Sequence, residues 1–448
     1  MTRQFPAGFL WGAAASAFQT EGAAAIDGRG PTVWDDFTRA PGKIRNGDTA
    51  DVACDFYHRY PEDIALMKGL GLGAFRLSTA WSRILPSGRG TVNPLGLDFY
   101  DRVIDLMLHE GIEPWICLHH WDMPSPIEAD GGWRNRDCAR WFADYAAIVG
   151  RHFGDRVKRF VPINEPNVIP WVAYNVGRHA PGRQSREDTV KAIHHINLAH
   201  GLTIQAVRAE APGAEAGNIV SLGPVHPAVD DEAHRAVLPL AECIWRRVMV
   251  DPLWLGTYPE PLATEIEPHI AEGDMAVIRQ PLDFFGLNHY NRVYVAPTDT
   301  TMWGLIERVP PPGYPLTDVN WRIDPSALVE QIEDVGSRYG HPPIYITEGG
   351  CAFPDALRPD RSVHDPDRIA YFADYFTALA GAIENGADVR GYFAWSLMDN
   401  FEWNSGFTKR FGLVYTDYPT LQRIPKSSYY WMRGVIAKNA VIPPEGRP

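Results

Sequence analysis

The chain has 448 residues, enough for two or three domains or for one α/β barrel with long loops. Its formal net charge of −13 excludes nucleic acid as a partner, because phosphate binding needs clustered Lys and Arg. No apolar run is long enough to span a bilayer, and five scattered cysteines without a CxxC pair point to thiols in a reducing compartment rather than to disulfides or zinc.

The first strand candidate is Phe9–Ala13. The apolar stretch around it superficially resembles a secretory leader, but it lacks a strong basic lead and follows Pro6 and Gly8. A cytoplasmic location is therefore expected. Further candidates follow at Ala74–Ser78, Glu113–Leu118, Phe160–Asn164, Asn218–Leu222, Phe284–Asn288, Ile344–Thr347 and Tyr392–Trp395. Several are apolar throughout, as strands buried on both faces are. Amphipathic helical segments lie between them, among them Leu97–Glu110 with Gly111 as its stop, Pro325–Tyr339 and Asp367–Glu384. Eight strands alternating with helices predict an α/β fold, a single (β/α)8 TIM barrel with long rim loops over residues 1–448. The stretch Pro297–Trp321 departs from the pattern. It is long and Pro-rich, and it follows the sixth strand as either a pocket wall or a passive surface insertion.

Polar and aromatic groups gather at the C-terminal ends of seven of the eight strands, where barrels carry their chemistry. The first strand leads to Gln19 and the second carries Arg76. The third gives His119, His120, Trp121 and Asp122, and the fourth gives Asn164-Glu165-Pro166. The sixth gives Asn288-His289-Tyr290 and the seventh Glu348. The eighth gives Trp395, followed by Glu402-Trp403. Glu165 and Glu348 lie far apart in the chain, and only a closed fold brings them together. Two facing carboxylates are the minimum equipment for cleaving a glycosidic bond. An aromatic content of 12%, with 15 Trp, suits sugars, whose flat C–H faces stack on rings.

At these residues the chain resembles the retaining β-glycosidases of glycoside hydrolase family 1. The resemblance runs from Phe9-Leu10-Trp11-Gly12 to about Trp431. It rests on Gln19-Thr20-Glu21-Gly22-Ala23, Trp81-Ser82-Arg83-Ile84, His120-Trp121-Asp122, Asn164-Glu165-Pro166, His179-Ala180-Pro181-Gly182, Thr347-Glu348-Gly349 and the run from Trp395 to Trp403. It implies that Glu165 is the acid/base and Glu348 the nucleophile. Arg76 and Tyr290 are implied as neighbours that keep Glu348 ionised, while the charge of Glu348 raises Glu165. Gln19, His120, Asn164, Glu402 and Trp403 are implied to bind the hydroxyls of the nonreducing sugar, with Glu402 as an ionised acceptor. Trp395 is implied as the stacking floor, Phe411 as a further wall, Trp321 as an aromatic near the leaving-group subsite, and Trp121 and Asn288 as supports. A cis Trp395–Ser396 peptide is expected. No metal or cofactor is implied. The expected partner is a small β-glycoside or oligosaccharide, with no membrane, and with a homo-oligomer left open.

Glu402-Trp403 argues against a 6-phosphorylated sugar, which an anion there would repel. An intact Glu165 argues against thioglycosides. The expected activity is hydrolysis of terminal β-D-glucosyl residues, with β-galactosides or β-fucosides also accepted, in the context of cellulose degradation. The chain departs from the family at Asn167, where many members carry a tryptophan against the leaving group, and at Pro162, Ser221 and Gly349. Two other readings stand beside this one. One is a non-catalytic sugar-binding protein on the same barrel. The other is a metal hydrolase using His119, His120, Asp122, His194 and His195.

Overall fold

The computed structural model describes residues 3–444. Of the expected span 1–448, residues 1–2 and 445–448 lie outside the described residues. Eight parallel strands close into a barrel: β1 (Leu10–Ala14), β2 (Ala74–Ser78), β3 (Glu113–His119), β4 (Arg159–Ile163), β5 (Glu215–Ser221), β6 (Phe284–Asn288), β7 (Ile344–Gly349) and β8 (Val389–Trp395). Each pairs with its neighbours in chain order, and β8 closes on β1. All eight expected strands are present, with ends displaced by up to three residues. The expected helix Leu97–Glu110 runs Pro94–His109, with Pro94 at its first turn, where a missing N–H costs nothing. Pro325–Tyr339 stands as expected, and the last of the three begins at Pro366.

Side-chain alternation divides the barrel interior into layers. One residue from each strand forms an apolar plug: Ala74, Trp115, Val161, Ile219, Phe284, Tyr345 and Phe393, with Leu10 packed against them. Two residues further along the same faces stand Arg76, Thr347 and Trp395, so the layer above the plug is polar and aromatic. The plug closes the bottom, and the chemistry sits on it.

Pro162 has a visible consequence within β4. The β4–β5 ladder pairs Arg159 with Glu215 and Phe160 with Ala216, then resumes only at Asn164 and Ile219. Proline offers no N–H to the ladder, and the gap falls where it stands.

The Pro297–Trp321 stretch is not structureless. Leu305–Arg308 pairs antiparallel with Val293–Pro297, which in turn pairs parallel with Val225–Pro227. The loops after β5 and β6 thus share a small three-stranded sheet on the rim. The sequence reading missed it because Pro310, Pro311 and Pro312 mask a strand of only four residues just before them.

Candidate active site

Arg76, Asn164, Glu165, Asn288 and Glu348 come from four strands and form one bonded group. Arg76 is fully buried; it forms an ion pair with Glu348 and donates to Asn164 Oδ1 at 2.8 Å. Tyr290 donates its hydroxyl to the other oxygen of Glu348 at 2.6 Å. The Asn288 amide donates to Glu165 Oε1 at 2.9 Å and to Asn164 Oδ1 at 3.2 Å, and it lies against Glu348 as well. One amide therefore reaches both glutamates. Thr347 Oγ1 donates to Asn288 Oδ1 at 2.7 Å and holds that amide in place.

Asn164 Oδ1 already accepts from Arg76 and Asn288, so its nitrogen is the atom facing His120 Nε2 at 3.1 Å. His120 Nε2 is then an acceptor, and its proton sits on Nδ1, which has no protein partner. Burial, with Arg76 nearby, holds the His120 pKa well below the usual range, so the ring is neutral.

The carboxyls differ in their surroundings. Burial first, and the Glu348 charge second, push Glu165 up to about 8. The expectation of a raised Glu165 holds, but burial rather than Glu348 is the larger cause. Burial also raises Glu348, against the downward pull of Arg76, Tyr290 and Asn288. Glu348 faces a guanidinium and a phenol, whereas Glu165 bonds the Asn288 amide and lies against the Ser221 side chain. These partners favour the negative charge on Glu348 and the proton on Glu165. Glu402 corrects a second expectation. Enclosure in the pocket and the charges of Glu348 and Glu165 raise it to about 8, with only the Trp395 side chain pulling it down. The expected ionised acceptor thus stands in surroundings that favour the neutral acid.

These side chains open onto a cavity of about 390 Å³. His120, Trp121, Glu165 and Glu348 line it, together with Tyr290, Trp321 and Phe411. Trp395, Glu402 and Trp403 complete this side. His120 stacks between Trp395 and Trp403, at centroid distances of 5.7 and 5.9 Å. Tyr290, Trp321 and Phe411 form a second aromatic group, with Tyr290 and Trp321 5.1 Å apart. Trp121 is fixed by its indole N–H to Asn164 O at 2.9 Å. Gln19 lies deeper. It is fully buried, and its amide nitrogen donates to Asn400 Oδ1 and Phe401 O while its oxygen accepts from Ser16. One lone pair of that oxygen is left for a ligand hydroxyl. The Trp395–Ser396 peptide is cis, as expected.

Three site residues have left-handed backbones: Trp121 at φ 77°, Glu165 at φ 48° and Trp403 at φ 46°. Such conformations cost on the order of 1–3 kcal/mol each and persist where neighbours over-determine them. For Glu165 the neighbours are Ile219 O, accepting its N–H at 3.0 Å, and the Asn288 amide.

The residues weighed for a metal do not assemble. His119 points into aromatic packing with Trp133 and Phe142. His194 bonds Tyr258 and Asp274, and His195 bonds Trp133 O. Among the described residues there is no group of three or more His, Cys, Asp or Glu placed to hold a metal ion.

The departures from the family pattern have local reasons. A Cβ at Gly349 would collide with Tyr392 Oη. Asn167 is buried rather than facing the cavity. Its amide donates to Ser221 O at 2.7 Å and Trp245 O at 3.0 Å, and accepts from Ser221 N at 3.3 Å. Trp245, Arg178 and Glu307 also line the cavity. The sequence reading missed all three, because they lie on a loop, a short helical turn and the rim strand Leu305–Arg308, away from the barrel strand ends that served as its guide.

A sequence model described as glycosyl hydrolase family 1 matches residues 1–441. The chain is 40% identical to beta-glucosidase A of Thermotoga maritima over 445 residues, covering 98% of this chain and 99% of that protein. It is 41% identical to a bifunctional beta-D-glucosidase/beta-D-fucosidase of Bifidobacterium breve over 466 residues, covering 98% and 100%. The fold superposes on a solved beta-glucosidase from Thermotoga maritima in complex with deoxynojirimycin with a TM-score of 0.93 at 38% identity, covering 98% and 99%.

Proposed function

Because the chain belongs to glycosyl hydrolase family 1, we propose that it is a retaining β-glucosidase that releases terminal nonreducing β-D-glucose through a covalent glycosyl-enzyme. The observation that carries the reading is that two buried glutamates from β4 and β7 line one cavity, Glu165 bonded by the Asn288 amide and Glu348 by Arg76 and Tyr290. Such a pair fits a retaining mechanism, whose carboxyls stand roughly 5–5.5 Å apart, with Glu348 as nucleophile.

In the first step a Glu348 oxygen forms a bond to the anomeric carbon, the glycosidic C–O bond breaks, and the leaving oxygen takes the proton of Glu165. Glycosylation removes the negative charge from Glu348, so the pKa of Glu165 falls and its carboxylate becomes the base. In the second step a water oxygen attacks the same carbon, Glu165 takes a water proton, and the bond to Glu348 breaks. His120, Gln19, Glu402 and Trp403 bind the sugar hydroxyls over Trp395, and Asn164 bonds the 2-hydroxyl as the transition state forms. The Bifidobacterium relative supports acceptance of β-fucosides.

We assign the whole chain, 1–448, to this one catalytic barrel and place it in the cytoplasm, acting on cellulose-derived oligosaccharides. Five free, buried cysteines among the described residues support a reducing compartment, and no helix among them is long and apolar enough to cross a membrane.

Glu348→Ala abolishes hydrolysis of a dinitrophenyl β-glucoside, and added azide restores turnover with an α-glucosyl azide as product. A β-azide, or activity that survives the substitution, refutes the nucleophile assignment. A panel of β-glucoside, β-fucoside, β-galactoside and cellobiose then sets the range.

A further inference from the structure

Trp245 lies on the wide helical turn Cys243–Arg247, and Cys243, Ile244 and Arg246 on that turn are buried. Arg246 anchors the outside of the turn by ion pairs with Glu242 and Asp334. Trp245 alone among its immediate neighbours turns to the cavity, which it lines beside Glu165, Val168, Ser221 and Leu222. These residues come from the ends of β4 and β5. Apart from Asn164, the groups assigned to the sugar come instead from the loops after β1, β3 and β8.

The ring is not fixed by a hydrogen bond of its own, for Trp245 Nε1 has no partner. It rests edge-on against Trp171 at 5.9 Å, and Trp171 rests on Trp303, over which the Arg186 guanidinium lies at 4.0 Å. What sets its distance from the chemistry is Asn167. That residue stands two positions after Glu165, and its amide binds both the Trp245 carbonyl and the Ser221 backbone. The Ser221 side chain in turn lies against Glu165. One buried amide thus fixes the proton donor and an aromatic face relative to each other. A tryptophan that served packing alone would be covered on both faces, whereas this one stays partly open on the cavity side.

We propose that Trp245, seated by Asn167, is the face against which the leaving group packs, and that it selects β-glycosides whose aglycone presents a flat apolar surface. Trp245 is the specificity-determining residue and Asn167 its positioning residue. The inference rests on the β-glucosidase reading above.

The test compares 2,4-dinitrophenyl β-glucoside with β-glucosyl fluoride. Both leaving groups depart with little help from an acid, so they differ chiefly in whether there is a face to pack. Trp245→Ala lowers kcat/KM for the aryl glucoside about tenfold and leaves the fluoride within about twofold. Trp245→Phe keeps most of the aryl activity. Asn167→Ala shows the same split between substrates, which a general loss of folding would not produce. Equal losses on both substrates, or none on either, overturn the inference while the enzymatic reading stands. A wild-type protein that hydrolyses neither substrate overturns the enzymatic reading, and this inference with it.

Discussion

Glu165, Glu348 and Glu402 line this pocket, and each is raised by its surroundings. Glu165 must be protonated to act as an acid, so kcat/KM falls as pH rises through its value of about 8. Glu402 is raised to about 8 as well, and its ionisation falls in the same window. The two can be separated with a dinitrophenyl glucoside, which needs no acid. In Glu165→Ala, measured on that substrate, the alkaline limb disappears; a limb that persists assigns it to Glu402. The sign for stability follows from the same shift. A carboxyl raised when folded stays neutral while the unfolded chain ionises, so its contribution is present below the ordinary value and is lost as pH rises toward 8. Glu165→Gln removes that loss. Its melting temperature should exceed the wild type's at pH 9 and match it near pH 4; equal values at both pH values would refute the shift. Both glutamates were legible from their flanking residues. The dominance of burial, and the raising of Glu402 with it, were not, because both depend on how deeply the fold encloses the pocket.

At the scale of elements, a strand end is useful only if its side chain is held. Asn288 ends β6 and Glu348 lies in β7, and the two strands slip register between Ile346 and Glu348. Thr347 stands at that slip and its hydroxyl holds the Asn288 carbonyl. Thr347→Val leaves that carbonyl buried without its partner, a cost of about 1–3 kcal/mol. It also frees the amide that lowers Glu165. The expected result is a drop in kcat of about tenfold, equivalent to ~1.4 kcal/mol, together with an alkaline limb displaced upward. A lower melting temperature with an unmoved limb would make Thr347 a packing residue only. Strand positions were readable because apolar runs of the right length alternate with amphipathic ones. The left-handed backbones of Trp121, Glu165 and Trp403 were not readable, because neither Trp nor Glu favours that conformation and only tertiary bonds impose it. The Leu305–Arg308 strand was unreadable for a related reason: its partners, not its composition, make it a strand.

At the scale of the whole molecule, the loop that carries Glu402 is tied to the end of the chain by a buried ionic group. Lys426 bonds Asp355 at 2.6 Å and Asp399 at 2.7 Å. Arg368 pairs with Asp355 and Asp365, and Arg410 pairs with Asp399. Three cations meet three carboxylates, so the cluster is neutral as a set. It joins the segments after β7 and β8 to the start of the C-terminal helix Ser427–Lys438. Its members lie as much as 71 residues apart, and nothing in the local sequence separates Lys426 from a surface lysine. Replacing a buried pair with apolar groups is often neutral, but removing one partner strands the rest. Lys426→Met leaves Asp355 and Asp399 each short of a cation and should cost about 3–5 kcal/mol. The exposed pair Arg151–Glu210 is the control, since Arg151→Met at the solvent-screened surface should leave the unfolding midpoint unchanged. Urea unfolding of the two variants decides the matter. Because Asp399 lies three residues before Glu402, Lys426→Met should also lose activity at a lower urea concentration than it loses helix signal. Loss of both signals together would show that the loop and the barrel unfold as one unit.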